Sequence, residues 1–220
     1  AATHMGETLR LIDKGAFTPA YTKRISNTEN SYSIFSLYVK LKPETFSYIN
    51  HTCYYQHDYN QVWNLGQYHR EDWPYGMMYM TPPNEQQNEW ATHLIINCVM
   101  PFSAVEQWQD TQTGRRGEAY AQWKAWHEQR IIDRMEEVKP GFTQCIDHVW
   151  SASPLTVRDY YHAPQGAIYG FVKDCHNPLA TQIPVATKVS NLFLTGQCVG
   201  LHGICGVPLS AITTAEALVG

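Results

Sequence analysis

Residues 191–220 read NLFLTGQCVGLHGICGVPLSAITTAEALVG. An apolar run at 191–194 leads into Gly196, Gly200, Gly203 and Gly206, and then into a helix of mostly small residues. Strand, glycine-rich turn and helix in that order are how a nucleotide-binding turn is usually built, because glycines let the backbone approach a ligand and the helix start presents free N–H groups; on pattern alone the stretch reads equally as a loop that turns a strand into a packed helix. Pro208 is expected just inside the helix start, where its missing N–H costs nothing, with Gly206 and Val207 at the positive end of the helix dipole. The spacing Gly200-x-x-Gly203-x-x-Gly206 is not the G-x-G-x-x-G fingerprint. A dinucleotide turn also normally opens a βαβ unit, whereas here a single strand of that kind, 191–195, is recognisable.

Upstream the patterns are different. Residues 7–25 place Leu9, Ile12 and Ala16 on one helical face, with Pro19 opening a second short helix. In SYSIFSLYVKL, residues Phe35, Leu37, Val39 and Leu41 alternate with Ile34, Ser36, Tyr38 and Lys40, the period of a strand. Further strands are expected at 51–58, 75–83, 92–102 and 145–156, with Pro82, Pro83 and NEQQNE as the turn between two of them. From 118 to 138 the period lengthens: Tyr120, Trp123, His127, Ile131, Met135 and Val138 recur at helical steps, and Pro140 and Gly141 end the helix. The expected class is α+β, a largely antiparallel sheet with a long helix.

Composition narrows the function. A net charge of −4, with Lys23, Arg24 and Arg115, Arg116 as adjacent basic pairs expected at solvated helix ends, argues against nucleic acid. The six cysteines show neither CxxC nor metal-finger spacing, so no metal site is expected and a reduced, cytoplasmic setting fits. No apolar run approaches bilayer length, so any membrane contact is expected to be peripheral. Fourteen tyrosines offer apolar bodies with polar tips, suited to a wall around a bulky apolar ligand or to an aromatic sheet. Tyr32, Tyr38, Tyr54, Tyr79 and Trp150 fall on or beside the expected strands as candidate substrate-lining residues, and His202 stands at the glycine turn. A Cys205 and His202 nucleophile lacks a third orienting group, neighbouring Arg158 and Asp159 read as a surface ion pair, and His51, His57 and His93 read as sheet residues.

Two segments together carry more. SASPLTVRDYYHAPQGAIYG (151–170) and the terminal run resemble the carboxyl-terminal signature of the flavin-dependent phytoene desaturase, carotenoid isomerase and retinol saturase family. The matching elements are Ser153, Pro154 and Thr156, then Tyr160 and Tyr161, Gly166 with Tyr169 and Gly170, and finally Gly196, Gly203, Ile204, Gly206 and Val207. ENSYSIFSLYVKLK, YMTPP and QWKAWHEQRIIDRMEEVKPGF are similar to that family's sheet and mid-chain helix, though more faintly. Cys205 stands where many relatives have proline.

The resemblance implies an FAD-dependent oxidoreductase acting on a polyene or isoprenoid lipid by desaturation, saturation or isomerisation. It implies that the chain is the C-terminal portion of a longer protein whose N-terminal GxGxxG part holds the FAD adenosine diphosphate. Residues 1–170, with a helical lead-in at 1–25, would form the substrate domain, and 171–220 would complete the cofactor domain. Gly196, Gln197, Gly203, Ile204, Gly206 and Val207 would then bind the cofactor; no side chain is assigned as a catalytic base. The alternatives are a non-catalytic lipid-binding module and an amine-oxidase-like flavoenzyme, the latter wanting an aromatic pair where Leu201 and His202 stand.

Overall fold

The computed structural model describes residues 1–63, 67–83 and 89–219. The chain divides into two compact units, Ser33–Thr156 and a unit made of Ala1–Tyr32 with Val157–Gly220. Those boundaries differ from the division at 170/171 suggested by the sequence, since the helical lead-in belongs to the same unit as the C-terminal segment.

The 33–156 unit is built on a sheet of β1 (Ser33–Leu41), β2 (Cys53–Gln56), β3 (Gly76–Met80), β4 (His93–Met100) and β5 (Ile146–Ala152). The spatial order is β2-β3-β4-β1-β5, with antiparallel neighbours throughout. The alternation in β1 turns Phe35, Leu37, Val39 and Leu41 into the core, beside Leu94, Ile96, Cys98 and Met100 of β4. The helix Glu118–Val138 supplies Tyr120, Trp123, Ile131 and Met135 to the same core. Burying each such side chain stabilises the fold by roughly 1.5–3 kcal/mol relative to leaving it in water. Of the NEQQNE turn, residues 84–88 lie outside those described.

His127 sits at the centre of this core with no exposed surface. Its ring lies within 4.0–6.0 Å of the rings of Phe35, Tyr68, Trp73, Trp123 and Trp126. Nδ1 is 2.7 Å from the Trp123 carbonyl, which can only accept, so Nδ1 carries the proton. Nε2 therefore accepts the Tyr68 hydroxyl proton, at 2.6 Å. Burial lowers the pKa to about 4 against the opposing Trp123 hydrogen bond, with the Arg70 charge adding to the depression. The ring is a neutral, fully bonded core residue.

The long helix leaves Glu136 to organise the chain beyond it. Its carboxylate accepts from Gly141 N, Thr143 N and Thr143 Oγ1 at 2.6–2.8 Å, capping the four-residue helix Phe142–Cys145 that leads into β5. These bonds, the backbone N–H of Thr143 first, hold its pKa below the ordinary carboxylate value. Arg116, expected at a solvated helix end, is instead buried and donates to Thr111 O, Thr111 Oγ1 and Thr113 Oγ1 just before the long helix.

In the other unit, Met5 of helix Met5–Leu11, Ile25 of helix Pro19–Ser26 and Phe17 between the two helices pack against Phe171, Ile183, Leu194 and Val199. The first helix is shorter than its apolar spacing suggested: it stops at Leu11, Ile12 is its C-cap in extended conformation, and Ala16 lies beyond it. Lys23 and Arg24 do occupy the last turn of the second helix. The helix Pro154–Tyr161 begins in one unit and ends in the other, and Arg158 pairs with Asp159 at 2.8 Å. No helix among the described residues is long and apolar enough to cross a membrane.

Candidate functional site

The sheet of the 33–156 unit has two unlike faces. Strand register sets Ser36, Tyr38 and Lys40 of β1 beside Asn97, Ile95 and His93 of β4, and beside Ala152, Trp150 and His148 of β5. Met78 and Met80 of β3 oppose Asn97 and Ile95, and Tyr54 of β2 opposes Met78. All of these residues point away from the core face. One row across the strands, Met80, Ile95, Tyr38 and Trp150, is apolar throughout. With strands about 4.8 Å apart, it extends roughly 14 Å. Tyr38 is 42% exposed and Trp150 50%.

The structure thus gathers Tyr38, Tyr54 and Trp150 on one face, and separates the other candidates from them. Tyr79 projects into the core at 5% exposure, opposite Ile96. Its hydroxyl pKa is pushed up to about 12, by burial first and then by the Cys53 thiol. Tyr32 belongs to the other unit. The methionines and Ile95 escape a reading of the sequence because YGMMYM and HLIINCVM each carry apolar residues at both strand parities, and only the pairing shows which parity faces outward. His93 lies on β4, whereas His51 and His57 fall just outside β2.

The glycine turn lies in the other unit. The strand expected at 191–194 is reduced to one antiparallel bridge, Ala186 to Phe193, because no second strand pairs along its length among the described residues. The terminal helix, Gly203–Val219, starts five residues before Pro208, not at it. The proline removes a donor only from the helix's second turn. Gly203 enters the helix at φ 78°, a left-handed conformation that glycine accepts without strain. Gly206 is packed so closely that a Cβ would collide with the Leu201 carbonyl.

Several expected cofactor contacts serve the turn itself. Gly196 N donates to Ser210 Oγ at 2.8 Å, and Ser210 Oγ donates to Val207 O at 2.7 Å. Gln197 Nε2 donates to Ile168 O at 3.1 Å. Gly203 and Val207 are exposed, and Ile204 is 92% exposed. His202 is stacked on Tyr169 with centroids 4.3 Å apart, and Tyr32 meets Tyr169 edge-on at 5.7 Å. Two candidate lining residues are therefore joined through Tyr169, whose N–H is held by Ser31 Oγ at 3.0 Å. Burial, and secondarily Tyr169, raises the Tyr32 pKa.

Replacing Gly206 with alanine is expected to destabilise this unit by about 1–3 kcal/mol, the usual cost of overpacking. Gly200→Ala is the control, since a Cβ there would find Ser210 Cβ at a comfortable 3.9 Å. Thermal unfolding of the two variants side by side checks the difference.

The turn can be tested as a resting place for a flavin ring. A cofactor's electron-rich edge needs exposed backbone donors and no competing carboxylate. Residues 203–205 are exposed, the helix has no acidic residue in its first turn, and the space beside Gly203 is empty to 4 Å. They fit. Gly196, Gln197 and Gly206 are engaged within the turn itself.

No protein-family model matches the chain. The chain is 25% identical over 151 residues to an all-trans-retinol 13,14-reductase of Danio rerio, an alignment covering 64% of this chain and 25% of that protein. It is 28% identical over 151 residues to the protein of the same name from Macaca fascicularis, again 64% and 25%. For the Homo sapiens protein of that name the figures are 28% over 128 residues, 57% and 21%. The similarity supports the retinol saturase family. The relatives are named as reductases, and the chain spans about a fifth to a quarter of their length.

Proposed function

We propose that this chain is the C-terminal part of an FAD-dependent reductase that saturates a double bond of a retinoid-like isoprenoid. The observation that carries the reading is the similarity to proteins named all-trans-retinol 13,14-reductase. It favours saturation over the desaturation and isomerisation found elsewhere in the phytoene dehydrogenase-like group. The outward sheet face, with Met80, Ile95, Tyr38 and Trp150 in one row, is the substrate surface. Such a surface excludes water from a hydrocarbon chain and holds it by dispersion and aromatic contact.

A flavin, where bound, would supply hydride-transfer chemistry. Exposed backbone donors at 203–205 would meet the electron-rich edge of its ring, stabilising charge there. Tyr169 would hold His202 beside that edge through their stack. The dinucleotide's pyrophosphate contacts, which dominate affinity, would come from a glycine-rich helix start outside this chain. The 220-residue chain alone is therefore expected to fold but to bind FAD weakly and to lack activity, because a few backbone contacts do not offset the entropy of capturing a free cofactor. Titration against flavin fluorescence checks this, and stoichiometric binding at low micromolar FAD would overturn it.

The test of the whole reading is the full-length protein carrying this chain, purified and incubated with all-trans-retinol and a reductant. Bound flavin by absorbance and a retinol product two hydrogens heavier support the proposal. A full-length protein without flavin sinks it, and saturable lipid binding without turnover would support the binding module instead.

A further inference from the structure

Beside the apolar row lies the polar centre of the same face. Ser36 and Asn97 oppose each other on β1 and β4, and Ser36 Oγ donates to Asn97 Oδ1 at 2.6 Å. Ser36 is itself buried, so this bond fixes the amide with its oxygen engaged and its nitrogen presented. Among the described residues Asn97 Nδ2 has no hydrogen-bond partner, and the side chain is partly exposed. Around it stand Met78 across the β3 pairing, Ile95 and Val99 two positions either way along β4, and Ile34 and Tyr38 along β1. A two-hydrogen donor is thus set in an apolar surround.

That arrangement discriminates between ligands. A hydrocarbon covering this face removes water from the amide and leaves its N–H groups unpaired, a penalty charged to every occupant lacking an acceptor. An occupant with an oxygen at that point avoids the penalty.

We propose that Asn97, oriented by Ser36, is the specificity anchor for the oxygen of a linear isoprenoid alcohol or aldehyde whose hydrocarbon lies over Ile95, Tyr38 and Trp150. The inference rests on the sheet face being the substrate surface. It names the residue that reads the oxygen of such a substrate, and it excludes a carotene-like hydrocarbon as the preferred ligand. Ser36 is a positioning residue, acting through the amide it holds.

The test is equilibrium binding to the purified protein, followed by quenching of tryptophan fluorescence. The probes are all-trans-retinol and the hydrocarbon analogue in which its terminal CH2OH is CH3. The wild-type protein is expected to favour the alcohol by about tenfold, the worth of one hydrogen bond with its avoided desolvation. Asn97→Leu is expected to lose that preference and to favour the hydrocarbon, because the hydroxyl is then the unpaired group, and Ser36→Ala to retain part of the preference, since the amide is then free to turn. Equal wild-type affinities, or a tenfold preference surviving in Asn97→Leu, would overturn the assignment of Asn97 while leaving the substrate surface standing. Binding of neither probe by the wild-type protein would overturn both. The wild-type comparison decides the matter even where the leucine variant does not fold.

Discussion

Replacing His127 with alanine is expected to cost about 3–5 kcal/mol, the range for deleting a large ring from a packed core. The reason is its position: five aromatic rings surround it, so no single neighbour can close the void without abandoning its own contacts. The deletion also strands the Tyr68 hydroxyl, which loses its acceptor, and the Trp123 carbonyl, which loses its side-chain donor. For a protein of this size the loss lowers the melting temperature by roughly 6–20 °C, at about 2–4 °C per kcal/mol. His127→Phe fills most of the volume and tests the other half of the argument. If packing dominates, it recovers most of the lost stability; if the two hydrogen bonds dominate, it recovers little. A melting temperature within 2–3 °C of wild type for the alanine variant would show that the ring is not central to the core.

Acid is expected to weaken the protein through the same residue. In the unfolded chain His127 titrates near the ordinary 6.5, and in the folded protein at about 4. Above pH 6.5 neither state holds the proton and the full stability is present. As pH falls below 6.5 the unfolded state takes up a proton that the core refuses, so stability is lost, and the loss levels off once pH drops below 4. Across that window it amounts to roughly 3 kcal/mol, at 1.36 kcal/mol per unit. Denaturation midpoints at pH 7 and pH 4.5 measure it, and His127→Phe supplies the reference, since its own acid dependence comes from the remaining groups alone. Equal slopes in wild type and His127→Phe would exclude the histidine as the cause.

The elements that the sequence announced clearly are those with one strong period. Phe35, Leu37, Val39 and Leu41 alternate with polar or amphipathic residues and are buried in β1, while Tyr120, Trp123, Ile131 and Met135 recur at helical spacing and are buried in the long helix. Legibility fails where a pattern is apolar at every position or depends on a partner. In β3 the run from Met77 to Met80 gives no parity, so Tyr79 and Met80 exchange the places that composition alone would offer them. At 191–194 the apolar run reads as a strand, yet a strand is a pairing, and only Phe193 finds one. The glycines were visible, but their tasks were not: Gly206 is required by the close approach of Leu201, a contact that no spacing rule contains. Asn97 escaped notice because its importance lies in the register with Ser36, 61 positions away.

The unit formed by Ala1–Tyr32 and Val157–Gly220 draws on both ends of the chain, whereas Ser33–Thr156 is continuous. This fixes an order of events on the ribosome. The sheet, its five strands and its helix are all synthesised before residue 157 appears, so the 33–156 unit can complete its core while the chain is still growing. Within these 220 residues, Met5, Phe17 and Ile25 meet Phe171, Ile183, Leu194 and Val199 only after those emerge, about 150 residues or more later. The entry and exit of the continuous unit lie on neighbouring strands, with Ser36 paired to Ala152, so the folded sheet holds the chain close together at its two ends. The loop whose closure would otherwise be slow is closed in advance by the unit folded within it.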